Sequence, residues 1–117
     1  MAHSLLLFKQ RLSNEVEQLR TILLWELSQS DNSYEQTLSV KLKSTPTTKW
    51  VELLQNNVYP TLSEQVTRLN KVEAALCQFE QGVYGFCADC ETQISVSKLN
   101  KDPTEQRCKS CANKSAI

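Results

Sequence analysis

Four cysteines near the carboxy end constrain this chain more than any other feature. Cys87 and Cys90 form C-A-D-C, seventeen residues follow, and Cys108 and Cys111 form C-K-S-C. A C-x-x-C turn brings two thiolates to one ion, and two such turns at this separation complete a tetrahedral four-sulfur site of the ribbon type. Gly82 and Gly85, in G-V-Y-G-F-C, supply backbone freedom for the first knuckle. The expected ion is one structural zinc, because four protein thiolates leave no open position for substrate or activated water. Iron suits the same sulfur set chemically. A disulfide framework has no export signal to support it, and a thioredoxin-like motif would need a βαβ pattern that is missing.

The rest of the chain reads as helix. In 117 residues there are only two glycines and three prolines, which leaves little room for a β-rich fold. Leu5, Phe8, Leu12, Val16, Leu19, Ile22 or Leu23, and Leu27 recur at steps of three and four over residues 4 to about 30. Leu5, Leu12 and Leu19 keep sevenfold spacing, which favours a coiled-coil seam, and Ser4 is placed to cap the start. Leu24 and Trp25 fall off that seam and read as edge packing. A second stripe runs from Leu62 through Val66, Leu69, Val72 and Leu76 to Phe79, and Gly82 is suited to end it. Thr61 and Glu64 have capping-box spacing behind Pro60, which marks either a helix start or a kink.

Between the stripes, Tyr34, Leu38 and Leu42 continue a helical spacing, as do Trp50, Leu53, Leu54 and Val58. The S-T-P-T-T stretch at 44–48 is the turn signal that separates them. Folding there gives an antiparallel two-helix hairpin with Leu38 facing Leu53 and Leu23 near Arg68 and Leu69. The polar stretch 28–33 then lies opposite 56–60, so a waist is expected at that height. The predicted fold is mainly α: a long coiled-coil hairpin over 1–81 with its tip near 44–48, and a small four-cysteine zinc ribbon over 82–117. Metal binding at its base would staple a seam that is marginal alone.

Charge and reactive groups narrow the function. Thirteen lysines and arginines balance thirteen acids, so no global basic field draws the chain onto DNA, and direct DNA binding is disfavoured. No segment approaches the about 18 apolar residues of a membrane span. Reduced thiols without a signal peptide point to the cytoplasm. No nucleophile arrangement or phosphate-cradling glycine loop occurs, so the expectation is a non-enzyme. Cys77 reads as a small half-buried apolar residue rather than a fifth ligand.

The run A-L-C-Q-F-E-Q-G-V-Y-G-F-C-A-D-C, with Ile94, Leu99, Pro103 and C-K-S-C, resembles the DksA/TraR zinc-finger family over residues 74–111. The resemblance implies a bacterial RNA polymerase-binding transcription regulator whose coiled coil enters the secondary channel, in longer members together with ppGpp. It also implies that the tip, here Lys41, Lys43, Ser44, Thr45, Pro46, Thr47 and Lys49, contacts polymerase. Three departures qualify it. Family tips carry acids, whereas no Asp or Glu occurs from Gln36 to Val51. Glu91 stands where the family usually has glycine, so a different knuckle turn is expected. Little sequence follows Cys111, which leaves ppGpp binding open. Two other readings stay beside this one. One is a zinc ribbon that binds nucleic acid, with Tyr84 and Phe86 as stacking aromatics; the other is a channel-occupying competitor or adaptor without regulatory activity. A monomer is expected, although an exposed leucine seam also suits pairing between chains.

Overall fold

The computed structural model describes residues 2–55 and 62–111. Helix α1 spans Ala2–Ser28, α2 Ser33–Lys43, α3 Trp50–Gln55, α4 Ser63–Gln81 and α5 Val96–Lys101, with a 3-10 turn at Thr47–Lys49. The described residues are mainly helical and contain no strand; one antiparallel bridge joins Phe86 to Gln93. None of their helices is long and apolar enough to cross a membrane.

The chain divides into two compact units, Met1–Ser13 with Ala74–Ile117, and Asn14–Glu73. The first residues of α1, expected to begin a hairpin, therefore share a unit with the cysteine ribbon. In this unit Phe8, Leu12, Ala75, Tyr84, Ile94 and Leu99 are buried. One guanidinium nitrogen of Arg11 donates to both the backbone and the side-chain oxygen of Asn100, each at 3.2 Å, which docks α5 on α1. A Cβ on Gly85 (φ +90°) would lie 3.5 Å from Leu5, and the left-handed backbone there suits glycine. Helix α4 ends as expected at Gly82, φ +75°, where Val83 N–H returns to Gln78 O at 3.0 Å.

In the second unit Val16, Leu19, Leu23 and Leu27 of α1 are buried with Leu38, Leu42, Trp50, Leu54, Leu62, Leu69 and Val72. Leu23 holds the seam and Ile22 is exposed; Trp25 is also exposed, 59%, rather than packed at an edge. The helix begins at Ala2, so Ser4 lies inside it and is not its cap.

The first arm is broken. Short polar side chains over 28–33 bond to nearby backbone and outcompete the helical ladder. Ser28 Oγ donates to Trp25 O at 2.8 Å, Ser30 Oγ accepts from Asn32 N–H at 3.0 Å, and Asn32 caps α2 by accepting from Tyr34 N–H at 2.8 Å. The expected waist is a clean break on this side; its counterpart at 56–60, with Val58, Pro60 and Thr61, lies outside the described residues.

The contacts also depart from the register of one continuous hairpin. Arg68 forms a two-pronged ion pair with Glu15, eight positions before its expected neighbour Leu23. Arg20 lies over the Trp50 ring, 5.5 Å from its centre, so the α2–α3 turn folds beside α1 instead of extending beyond it. The physical reason is Trp50. A two-helix seam would leave much of this large ring wet, whereas folding back buries it completely.

Candidate metal centre

The first knuckle follows directly from the end of α4. Ile94 N–H donates to Gly85 O at 2.8 Å and Cys87 N–H to Thr92 O at 2.7 Å, which pairs the segments on either side of C-A-D-C. Glu91 closes the turn with its N–H on Cys87 O at 3.0 Å. Its φ is +63°, the left-handed conformation that glycine takes without strain. The knuckle thus keeps a glycine-like path although the side chain is glutamate.

The second knuckle is brought to the first by backbone and charge. Ala88 N–H donates to Gln106 O at 2.7 Å, and Arg107 Nε donates to Asp89 Oδ2 at 2.8 Å. Asp89 and Arg107 each stand immediately before a cysteine, Cys90 and Cys108, with opposite charges. That matched position is a legible signal that sequence reading passed over. Behind the knuckles, Ser95 caps α5 by accepting from Lys98 N–H at 3.3 Å. Asp102 folds an Asx turn onto Thr104 N–H and Oγ1, at 3.0 and 2.8 Å.

These constraints gather the sulfurs of Cys87, Cys90, Cys108 and Cys111 within 4.8 Å of one another. The Cys90 and Cys108 sulfurs are 3.6 Å apart. Tetrahedral zinc with bonds of about 2.3 Å needs sulfur separations of about 3.8 Å, so the cage fits the ion. Thr92 Oγ1 lies 2.9 Å from Cys90 Sγ, placing a hydroxyl donor beside a sulfur that metal would hold as thiolate.

Residues 82–115 match the family model of the prokaryotic dksA/traR C4-type zinc finger. No curated protein and no solved structure matches the chain.

The electrostatics of this zinc finger suit a dication. Cys87 is lowered to about 6, foremost by a backbone hydrogen bond from Cys108, then by those from Cys90 and Asp89, against the opposing effect of burial. Cys108 is lowered foremost by the backbone of Cys111. Cys111 is pushed up to about 12, foremost by the neighbouring Cys108 sulfur, then by Cys90 and Cys87. Four sulfurs this close cannot all ionise beside one another; zinc removes that conflict and holds all four as thiolates. The set is closed by protein sulfur, so the zinc is structural.

Other sequence candidates fall elsewhere. Cys77 is exposed on α4, not half-buried, and is not a member of the sulfur cluster. Tyr84 is unavailable as a stacking platform for bases: it is 4% exposed, stacks on Phe79 and donates to Pro103 O. Phe86 remains exposed beside the first knuckle. Lys41, Lys43, Ser44, Pro46 and Lys49 are exposed around the α2–α3 turn, with Thr45 and Thr47 half-buried. Sequence reading gave Trp50 only a place in an apolar stripe. The structure makes it the anchor of that turn, its indole N–H shared between Leu42 O at 3.2 Å and Thr45 O at 2.9 Å.

Proposed function

We propose that this protein is a non-enzymatic transcription regulator that binds bacterial RNA polymerase in the cytoplasm. The observation that carries the reading is the dksA/traR-type finger at 82–115, with its four sulfurs gathered for zinc. In this reading the zinc finger and the amino end of α1 form one compact base, because both belong to the same unit. In the other unit, the turn at Lys41–Lys49 is the segment that would meet the secondary channel. A closed sulfur site gives the base rigidity and no chemistry of its own.

The acid-free turn favours a second reading, in which the chain occupies the channel without regulating promoters. A carboxylate can approach a magnesium ion or accept hydrogen bonds, whereas an ammonium group can do neither. The two readings share a test. Zinc-loaded protein is used to capture purified bacterial RNA polymerase, and a known secondary-channel factor is added as competitor. Capture that the competitor abolishes supports channel binding, and promoter-complex lifetimes then separate regulator from occupant. Failure of fully loaded protein to capture polymerase would sink both readings.

A further inference from the structure

The four sulfurs of the zinc site do not meet solvent equally. Cys87 is buried, Cys108 and Cys111 are half-buried, and Cys90 is exposed. A thiolate that reaches water is the ligand that electrophiles and competing chelators meet first. The sulfurs are also supported by different means. Backbone N–H groups of Cys108, Cys90 and Asp89 serve Cys87, and that of Cys111 serves Cys108. At Cys90 the neighbour is a side-chain hydroxyl, Thr92 Oγ1, at 2.9 Å from the sulfur.

The backbone turn brings Thr92 back to Cys90. Glu91 adopts φ +63° with its N–H on Cys87 O at 3.0 Å, and Thr92 O accepts from Cys87 N–H at 2.7 Å. Residue 92 is thereby tied to the start of the C-A-D-C loop, beside the sulfur that ends it. The residue before Cys90 is held too, by the bond from Arg107 Nε to Asp89 Oδ2 at 2.8 Å. Threonine is branched at Cβ, so its χ1 is restricted and keeping the hydroxyl on the sulfur sacrifices little freedom. The knuckle itself uses the Thr92 carbonyl, which any residue supplies. Thr92 is exposed, so neither burial nor the turn calls for its hydroxyl.

We infer that Thr92 is a positioning residue of the zinc site, whose hydroxyl donates to the Cys90 thiolate and guards this exposed ligand against zinc loss and chemical attack. Either atom can donate while the sulfur is a thiol. Once metal holds the sulfur as thiolate, only the hydroxyl has a proton to give. A hydrogen bond to an ionised acceptor is stronger than one between neutral groups, and it draws charge from the sulfur. Outer partners of metal ligands change affinity by about 10–100-fold when removed. An exposed hydroxyl, which water partly replaces, belongs at the lower end of that range. The inference rests on the zinc assignment and not on polymerase binding.

The test compares the full parent chain with Thr92→Val, which keeps the branched shape without the hydroxyl, and with Thr92→Ser, which restores the hydroxyl. Cobalt serves first as a spectroscopic stand-in for zinc. Loss of the bond leaves more charge on sulfur, so the sulfur-to-cobalt charge-transfer band of Thr92→Val is expected at longer wavelength, with Thr92→Ser near the parent. Zinc affinity, read by competition with a chromophoric chelator, should fall about tenfold in Thr92→Val. Iodoacetamide forms a sulfur–carbon bond as iodide leaves, and peptide mass mapping locates the label. In zinc-loaded Thr92→Val the initial labelling rate should rise several-fold at Cys90 and not at Cys87, Cys108 or Cys111. Exposed Cys77, outside the cluster, is the internal reference. Three results would overturn the inference: an unshifted cobalt band with unchanged zinc affinity, Thr92→Ser behaving as Thr92→Val, or equal acceleration at all four sulfurs, which would reduce Thr92 to a part of the fold. A parent chain that takes up no metal would remove the zinc assignment, and this inference with it.

Discussion

The hydroxyl of Tyr84 donates to the carbonyl of Pro103 across 2.7 Å, a bond that joins the exit of α4 to the segment entering the second knuckle. The same ring lies on Phe79 with centres 3.9 Å apart and planes 16° from parallel. Tyr84→Phe keeps the stack and leaves the buried Pro103 carbonyl without this donor. The expected cost is about 1–2 kcal/mol, read from the urea midpoint of zinc-loaded protein. A change under about 0.3 kcal/mol would show that water replaces the phenol freely.

Tyr84 also sets an alkaline limit. Burial, foremost, pushes its phenol up to about 12, with Arg11 pulling down and Asp102 pushing up. The unfolded chain ionises near pH 10 while the folded chain keeps its proton. Stability carried by the neutral phenol is therefore complete below pH 10 and is lost as pH rises toward 12. Denaturation midpoints measured from pH 9 to 11.5 should fall more steeply for the parent than for Tyr84→Phe.

Glu91 holds a left-handed φ of +63°, a conformation costing about 1–2 kcal/mol for a residue with a Cβ. Glycine takes it without that strain but loses more freedom on folding, which offsets part of the gain. Glu91→Gly should therefore stabilise the zinc-loaded protein by about 0.5–1 kcal/mol, with unchanged zinc stoichiometry. A lower melting temperature for this variant would mean that the glutamate side chain contributes more than its backbone costs.

The metal site was the most legible part of the chain because its information is local. Two C-x-x-C turns and a seventeen-residue gap fix ligand number and chemistry with little need for tertiary context. Helix content was legible for a similar reason, since Leu12, Leu19, Leu23 and Leu27 repeat a pattern that burial reproduces. Register was not. Periodicity says which residues share a face, not which face they meet, and the hairpin reading paired residues by folding the chain once at 44–48, which set Leu23 rather than Glu15 beside Arg68. It also underweighted Asn32 and its serine neighbours, whose side chains end one helix and cap the next. Glu91 was misjudged in the opposite sense: a missing glycine suggested a different turn, yet the knuckle imposes the left-handed conformation anyway.

Zinc should bind at one ion per chain and carry folding energy with it. Chelation is expected to unfold the knuckles, because backbone bonds such as Ala88 to Gln106 depend on the two turns meeting at the metal. Cys108→Ser should lose stoichiometric zinc, measured by elemental analysis. Cys77→Ser should retain a full equivalent, since Cys77 is exposed and outside the sulfur cluster. Retention of tight zinc by Cys108→Ser would refute the four-sulfur assignment.

The packing of Arg20 over Trp50 makes the position of the α2–α3 turn measurable in solution. A guanidinium over an indole is worth about 0.5–2 kcal/mol, and here the ring is fully buried while the two centres lie 5.5 Å apart. Trp50→Phe removes the indole N–H from the carbonyl of Thr45, while Leu42 O keeps its bond from Thr45 N–H, an expected cost of about 1–3 kcal/mol. Arg20→Gln alone should cost less, because Arg20 is only partly buried. The two changes share one contact and so should not add. A double-mutant cycle is expected to give a coupling of about 0.5–1.5 kcal/mol. Residues on a turn standing beyond α1 would be uncoupled, so a coupling energy of zero would restore the extended hairpin and overturn the folded-back arrangement. Fluorescence offers an independent check, since Trp50 should emit at shorter wavelength than the exposed Trp25 and resist quenching by iodide. If Arg20→Gln leaves the Trp50 signal unaltered in Trp25→Phe protein, the arginine does not cover the ring. A shift toward the red would place the turn against α1 at the height of residue 20.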